Sequence, residues 1–126
     1  MKKILIVEDE SEIRKLERSI LESAEYEVDE AQNAEEALVK LIKNKYDLIL
    51  SDIMMPGIDG YELCKFLSDR KEADGKSTPV IMVSAKSDPD DMAKGFDSGA
   101  VTFLVKPFTA SSLLISVQTA LPSDID

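Results

Sequence analysis

The sequence contains no histidine and no tryptophan, and its one cysteine is Cys64. Without histidine, the chain cannot form a serine–histidine–aspartate triad, a histidine metal site or a histidine acid–base catalyst. A single cysteine excludes an internal disulfide and a zinc site built from cysteines, and we interpret Cys64 as a partly buried helix residue without chemistry. Any catalysis must therefore use carboxylates, lysine, hydroxyl groups and a bound ion.

Basic surface and long apolar segments are also scarce. With 15 basic and 25 acidic residues, the formal net charge is −10. This charge argues against direct binding to nucleic acid or to an anionic membrane. No apolar run approaches the roughly 20 residues that span a bilayer, and the run at residues 4–7 is too short for a signal peptide. We therefore expect a cytoplasmic protein.

The length and composition indicate one globular domain. The chain has 126 residues, of which 44% are hydrophobic and 32% charged. No internal repeat, low-complexity segment or linker divides it. We predict a single domain over residues 1–126, with a frayed acidic tail at residues 122–126.

Short apolar runs alternate with amphipathic stretches along the whole chain. The runs predicted as strands lie at residues 4–7, 26–31, 48–50, 80–83 and 102–105. Near-continuous apolar strands separated by helices indicate a parallel sheet that is covered on both faces. Five such units are too few for an eight-fold barrel, so the pattern predicts a doubly wound open α/β sheet. The weak run with Tyr26, Val28 and Glu30 outward is placed at an edge.

Capping residues delimit the predicted helices. Asn33, Asp59 and Thr109 are placed to cap three helices by accepting a hydrogen bond from a backbone amide. Pro89 suits the first position of a fourth helix. Gly99 suits the end of that helix, where the left-handed conformation is common.

The first predicted helix, residues 11–24, carries Ile13, Leu16 and Ile20 at helical spacing. This spacing predicts that the three side chains share one face. Ile13 and Leu16 are then either core residues or part of a docking face for a partner helix bundle. We favour the core for at least one of them.

Polar side chains follow four of the predicted strands. They are Glu8 and Asp9, Asp52, Ser84, and Lys106. Taken singly, each has an ordinary structural explanation as a helix-dipole acid, a turn residue, a cap or a solvated lysine. Ligands of an open α/β sheet, however, bind beyond the carboxyl ends of its strands. The joint occurrence therefore favours a ligand site at that edge.

The chemistry of this residue set points to phosphate and a cation. Three neighbouring carboxylates repel one another unless a cation joins them, and Mg²⁺ prefers such oxygen ligands. With the ion bound, one carboxylate can attack phosphorus and form an aspartyl phosphate. A lysine offsets charge on the transferred group, and a hydroxyl donates a hydrogen bond to it.

Four segments carry a resemblance to a known family. Residues 4–9, 47–60, 79–85 and 104–108 read ILIVED, DLILSDIMMPGIDG, PVIMVSA and LVKPF. Together they resemble the response-regulator receiver domain of two-component signalling, over essentially the whole chain. The resemblance implies a flavodoxin-like, doubly wound sheet of five parallel strands in the order 2-1-3-4-5.

The resemblance also implies a phosphorylation site. Asp52 matches the phosphoacceptor of the family, and Glu8 and Asp9 match its magnesium-binding acids. Asp52 and the backbone carbonyl of Met54 would complete the protein ligands of Mg²⁺. The phosphoryl group would come from a phosphohistidine on a histidine kinase or a histidine phosphotransfer protein of a phosphorelay.

Further positions match the switch of the family. Ser84 matches the switch hydroxyl, and Lys106 matches the lysine that pairs with phosphate. The Lys106–Pro107 bond matches a position that is cis in the family. Phe103 matches the aromatic switch position, or is simply a core residue of its strand. The fourth helix, fifth strand and fifth helix would form the responding face.

Several features stay open at this point. Met54 and Lys86 match positions that tune phosphoryl lifetime, or are ordinary loop residues. The chain is either a stand-alone regulator or a receiver from a longer protein with an effector domain, and its output partner is unknown. Any contact with DNA would come from such a domain or from a partner.

Three other functions compete with this hypothesis. A magnesium-dependent phosphatase with an aspartyl nucleophile would carry a second aspartate where Met54 stands. A flavodoxin-like cofactor binder would want a phosphate loop after the first strand, where Glu8, Asp9 and Glu10 repel phosphate instead. A receiver-like binding module that is not phosphorylated is the third alternative, although each acidic position is intact.

Overall fold

The computed structural model of the chain describes residues 1–53, 59–70, 78–85 and 89–121, and only the backbone of residues 89–92. The strands are β1 (Lys3–Val7), β2 (Glu27–Ala31), β3 (Leu48–Asp52), β4 (Val80–Ser84) and β5 (Thr102–Val105). The helices are α1 (Ser11–Ser23), α2 (Ala34–Lys43), α3 (Gly60–Asp69), α4 (Pro89–Asp97) and α5 (Ala110–Ala120). Within these described segments, every helix is too short or too polar to span a bilayer.

The strands form one parallel sheet in the order β2-β1-β3-β4-β5. The predicted doubly wound topology and the edge position of β2 are both confirmed. Val7 lies opposite Ser51 on β3, and Asp52 lies opposite Val83 on β4. The carboxyl ends of β1, β3 and β4 therefore meet at one edge of the sheet.

Two apolar layers enclose the sheet, one on each face. Neighbouring strand residues such as Ile4 and Leu5 point into different layers, and both are fully buried. The layer under α1 and α5 contains Ile6, Leu21, Leu50, Val83, Leu113 and Val117, among others. The layer under α2 and α3 contains Val7, Leu41, Ile49, Leu63, Leu67 and Met82. Burial on both faces explains why the strands read as continuous apolar runs.

The predicted caps are confirmed at three helices. The side chain of Asn33 accepts a hydrogen bond from the Glu36 amide at 2.8 Å, and that of Asp59 accepts one from the Glu62 amide at 2.9 Å. Thr109 forms a reciprocal capping box at the start of α5. These bonds satisfy amide donors that a helix start leaves without intrahelical partners.

The limits of α4 also agree with the sequence. The helix begins at Pro89, and Gly99 just beyond its end has a φ of +106°. The left-handed conformation favours glycine at this position. The predicted frayed tail at residues 122–126 lies outside the described residues.

The outward orientation predicted for Tyr26 and Val28 is wrong, because the half-buried Tyr26 packs against the same apolar layer as Val28. Val28 is buried in the layer under α1 and α5, opposite Ile4 on β1. Although β2 is an edge strand, α1 packs across it and covers this face. The edge position therefore leaves the backbone of β2 without a neighbouring strand on one side, while α1 covers the face that carries Val28.

The predicted inward face of α1 is displaced by one residue. Leu16 is 51% exposed, whereas its neighbour Glu17 is buried. Ile13 is half-buried, so neither Ile13 nor Leu16 is a fully buried core residue. Cys64, expected to be partly buried, is fully buried, and burial raises the pKa of its thiol to about 11. Burial and the raised pKa both disfavour the thiolate, which is the reactive form of cysteine.

Candidate functional site

Three acids from two strand ends form a cluster at the carboxyl edge of the sheet. Glu8 follows β1 directly, and its amide donates to the carbonyl of Ala31 on β2 at 3.1 Å. Asp52 is the last residue of β3. Both are buried, whereas Asp9 is exposed. One carboxylate oxygen each from Glu8, Asp9 and Asp52 lies within 4.8 Å of the others. The structure therefore brings the predicted acids together.

Lys106 reaches this cluster from beyond β5. Its Nζ lies 3.3 Å from Glu8 Oε2 and 3.4 Å from Asp52 Oδ2. The backbone of Lys106 is held in turn, because its amide donates to the carbonyl of Ser84 at 2.7 Å. The ammonium group of Lys106 thus forms ion pairs with two buried carboxylates.

The electrostatic balance of the cluster leaves an excess of negative charge. Burial and the charge of Asp52 raise the pKa of Glu8 to about 7, although Lys106 offsets part of this rise. Burial by itself lowers the pKa of Lys106, but the carboxylates of Asp52 and Glu8 outweigh burial, so the pKa is raised. The cluster is therefore ready to accept further positive charge.

The donor set suits a small, hard dication. Mg²⁺ binds carboxylate oxygens at about 2.1 Å in an octahedron, which places neighbouring ligands about 3 Å apart and opposite ligands about 4 Å apart. The oxygens of Glu8, Asp9 and Asp52 already lie within 4.8 Å of one another. The exposed position of Asp9 leaves room for the water ligands that Mg²⁺ retains. Met54, whose carbonyl is the fourth predicted ligand, lies outside the described residues.

The remaining predicted residues lie around the same edge. Ser84 ends β4 and is buried, one residue beyond the partner of Asp52 in the strand register. The Lys106–Pro107 peptide is cis, as predicted. Lys86 lies outside the described residues.

Phe103 lies on β5 at the contact with α4. Its ring is half-buried, and its centroid lies 5.6 Å from that of Phe96. A Cβ on Gly95 would clash with Cε2 of Phe103, so the ring occupies space that this glycine leaves open. The packing partner Gly95 was not predicted. The position suits both interpretations of Phe103, as a core residue and as a switch.

The family to which the chain belongs is identified by comparison with known protein families. Residues 4–118 match the response regulator receiver domain family. The chain belongs to that family. Its sheet order and helix arrangement are those implied by the sequence resemblance.

The curated relatives of this receiver domain are longer proteins. It is 42% identical over 119 residues to the transcriptional regulatory protein ResD of Bacillus subtilis (strain 168), which covers 94% of this chain and 48% of ResD. It is 40% identical over 121 residues to the response regulator ArlR of Staphylococcus saprophyticus, which covers 96% of this chain and 53% of ArlR. The chain therefore spans about half the length of these curated relatives.

Solved structures show the same fold over nearly the whole receiver domain. The chemotaxis protein CheY4 of Vibrio cholerae is 36% identical, with a TM-score of 0.88 covering 96% of this chain and 99% of CheY4. A two-component response regulator from Clostridium difficile is 28% identical, with a TM-score of 0.86 covering 95% of each chain.

Two features of α1 in this receiver domain were not predicted from the sequence. Arg14 donates from Nη1 to the carbonyl of Glu8 at 2.7 Å and pairs with Glu30 on β2. Glu17 buries a carboxyl group whose Oε1 has no hydrogen-bond partner among the described residues. The sequence did carry a signal for the buried acid. Glu17 follows Ile13 by four residues, and this spacing places Glu17 on the apolar face of the helix.

Proposed function

We propose that this receiver domain is a phosphorylation-activated switch of a two-component system or phosphorelay, with Asp52 as the phosphoacceptor. The observation that carries the proposal is the position of the Asp52 carboxylate. It lies 3.4 Å from the ammonium group of Lys106 and within 4.8 Å of carboxylate oxygens of Glu8 and Asp9. A nucleophile, a charge partner and a cation-binding set thus meet at one point.

The residues divide the chemistry of phosphoryl transfer among them. Glu8, Asp9 and Asp52 would hold Mg²⁺, with the carbonyl of Met54 as a further proposed ligand. When bound, the ion neutralises charge on the transferred group. An Asp52 oxygen attacks phosphorus while the bond to the donor nitrogen breaks, and the departing imidazole takes the electron pair of that bond. Lys106 then pairs with a phosphoryl oxygen.

Ser84 and Phe103 carry the proposed response. A phosphoryl group on Asp52 offers acceptor oxygens to the Ser84 hydroxyl, which lies on the neighbouring strand. A shift of Ser84 toward them would bias the packing of Phe103 and the surface formed by α4, β5 and α5. Met54 and Lys86 are proposed to tune the phosphoryl lifetime.

The partners belong to the same proposal. The donor is a histidine kinase or a histidine phosphotransfer protein, as the membership of the response regulator family implies. The absence of histidine from the chain agrees with a phosphohistidine on another protein. Its relatives ResD and ArlR are about twice as long as the matched region. We propose that the output is carried by an effector domain or a partner protein, in the cytoplasm, and that the receiver catalyses only its own phosphorylation and dephosphorylation.

The test is the intact mass of the protein after incubation with acetyl phosphate, with and without Mg²⁺. The wild type should gain one phosphoryl group only with Mg²⁺, and Asp52→Asn should gain none. Asp59→Asn is the matched control, since asparagine also caps helices and Asp59 lies outside the cluster. Phosphorylation of Asp52→Asn at the wild-type level would contradict the proposal.

A further inference from the structure

Arg14 connects the acid-bearing turn after β1 to the end of β2. Its Nη1 donates to the Glu8 carbonyl at 2.7 Å, while its Nε lies 3.2 Å from Glu30 Oε1. The side chains of Arg14 and Glu30 are 14% and 27% exposed, so water screens this pair only in part. The planar guanidinium can serve both partners at once because its donors point in fixed directions.

The Glu8 carbonyl is the oxygen of the peptide that joins two members of the acidic cluster. A rotation of the Glu8–Asp9 peptide would therefore move both carboxylates relative to Asp52. Neighbouring contacts already limit this turn, because the Glu8 amide donates to Ala31 and the Glu10 amide donates to Glu8 Oε1 at 3.3 Å. The bond from Arg14 restrains the peptide oxygen itself.

We propose that Arg14, aimed by Glu30, is a positioning residue for cation binding, which keeps the carboxylates of Glu8 and Asp9 gathered beside Asp52. Like charges repel, so an unrestrained turn would let the exposed Asp9 move away from the cluster. A restrained turn lowers the cost of assembling the ligands when the ion arrives. This inference rests on the proposed function only in taking Mg²⁺ as the ligand of the cluster.

Whether Arg14→Gln tightens or weakens Mg²⁺ binding distinguishes a positioning role from a purely electrostatic one. Arg14 is itself a cation near the site, so its charge alone repels Mg²⁺. If charge were its whole role, Arg14→Gln would tighten Mg²⁺ binding. If Arg14 positions the turn, Arg14→Gln weakens binding, because the Glu8–Asp9 peptide loses its restraint.

Arg18 offers a matched control on the same helix. Its Nη1 lies 2.5 Å from Glu30 Oε2, and its Nε lies 3.3 Å from Glu22. Arg18 thus shares the Glu30 partner but pairs with Glu22 in place of the Glu8 carbonyl. Arg18→Gln removes the same charge and a bond to the same carboxylate.

The experiment is calorimetric titration of the metal-free chain with MgCl₂. Arg14→Gln should bind Mg²⁺ about tenfold more weakly than wild type, the usual scale for residues that orient metal ligands. Arg18→Gln should stay within about twofold. Arg14→Lys should fall between, since an ammonium can reach the Glu8 carbonyl but lacks the fork that also holds Glu30. Glu30→Gln should weaken binding less than Arg14→Gln.

Two outcomes overturn the inference. Unchanged or tighter Mg²⁺ binding by Arg14→Gln excludes positioning. An equal loss in Arg18→Gln assigns the effect to the Glu30 contact that both arginines share, not to the bond from Arg14 to the Glu8 carbonyl. Acetyl phosphate labelling of the wild type is run in parallel. A wild type that binds Mg²⁺ but takes no phosphoryl group contradicts the proposed function alone, and one that binds no Mg²⁺ contradicts both.

Discussion

Glu8 and Glu17 are equally buried, each with 1% of its surface exposed, yet their surroundings differ. Glu8 lies at the carboxyl edge of the sheet, where Lys106 Nζ is 3.3 Å from its Oε2. Glu17 lies on the face of α1 that also buries Leu21, and its Oε1 lacks a hydrogen-bond partner in the described part of the chain. Burial raises both pKa values, that of Glu8 to about 7 and that of Glu17 to about 9.

The difference shows what a counter-charge does for a buried acid. The charge of Lys106 lowers both pKa values, but only at Glu8 does Lys106 also donate a hydrogen bond that favours the ionised acid. At Glu17, burial and repulsion from Glu8 outweigh Lys106. Glu8 is therefore poised to ionise when a cation arrives. Glu17 stays neutral at pH 7 and lowers stability without a role in the proposed chemistry.

The largest effect is expected when Glu8 and Asp52 lose their counter-charge. Lys106→Met should slow phosphorylation by acetyl phosphate about 10²- to 10³-fold, because one preorganised charge on the transferred group is missing. The initial rate of mass gain at saturating Mg²⁺ measures this. Lys65→Met removes a charge from an exposed position on α3 and should leave the rate unchanged. Equal rates in wild type and Lys106→Met would remove Lys106 from the mechanism.

The second prediction concerns Glu17 alone. Glu17→Leu should stabilise the protein at pH 7 by about 3 kcal/mol, since the unfolded chain ionises this group freely and the folded chain does not. Urea unfolding followed by circular dichroism measures the change. Glu12→Gln, at an exposed position on the same helix, should change stability by less than about 1 kcal/mol. A less stable Glu17→Leu variant would show that the buried carboxyl makes a contact that outweighs its burial.

The stabilisation gained by Glu17→Leu should increase as the pH rises. Below about pH 4.5 Glu17 is protonated in both states, so its burial costs no ionisation energy. As pH rises, the unfolded chain releases the proton but the folded chain retains it up to about pH 9. Wild type should therefore lose about 1.4 kcal/mol per pH unit relative to Glu17→Leu. Parallel unfolding curves at pH 5, 6, 7 and 8 test this, and a constant difference would contradict it.

The smallest expected effect is the stabilisation by Mg²⁺, which should depend on Glu8 and not on Glu17. At ten times its dissociation constant, Mg²⁺ should stabilise the wild type by about 1.4 kcal/mol. Glu17→Leu should keep this increment, and Glu8→Gln should lose most of it. Thermal unfolding with and without MgCl₂ gives both values. Loss of the increment in Glu17→Leu would place that acid among the groups that hold the ion.

Local signals in the sequence predicted most of the fold. The alternation of apolar runs and amphipathic stretches predicted the doubly wound sheet, and β5 was predicted with its observed limits, Thr102–Val105. Asn33, Asp59 and Thr109 cap the helices at which they were placed. Such signals are strong because capping and alternation depend on residues close together in the chain.

The meeting of Glu8, Asp52 and Lys106 was also predictable. In a parallel sheet the residues that follow the strands share one edge, so position along the chain translates into proximity. Their roles in phosphoryl transfer remain predictions, as do those of Asp9, Ser84 and the other site residues. The bonds of Arg14 were not predictable, because they depend on how α1 is rotated and placed against β2.

The sequence by itself determined the class of fold, the edge that carries the acids and the family, because each depends on order along the chain. Only the tertiary structure decided which side of α1 faces the sheet. Adjacent helix residues differ by about 100° in direction, so a small rotation of α1 decides which of two neighbours is buried. The apolar periodicity alone did not determine whether Leu16 or Glu17 faces the sheet. The way α1 packs against the sheet exposes Leu16 to solvent and buries Glu17.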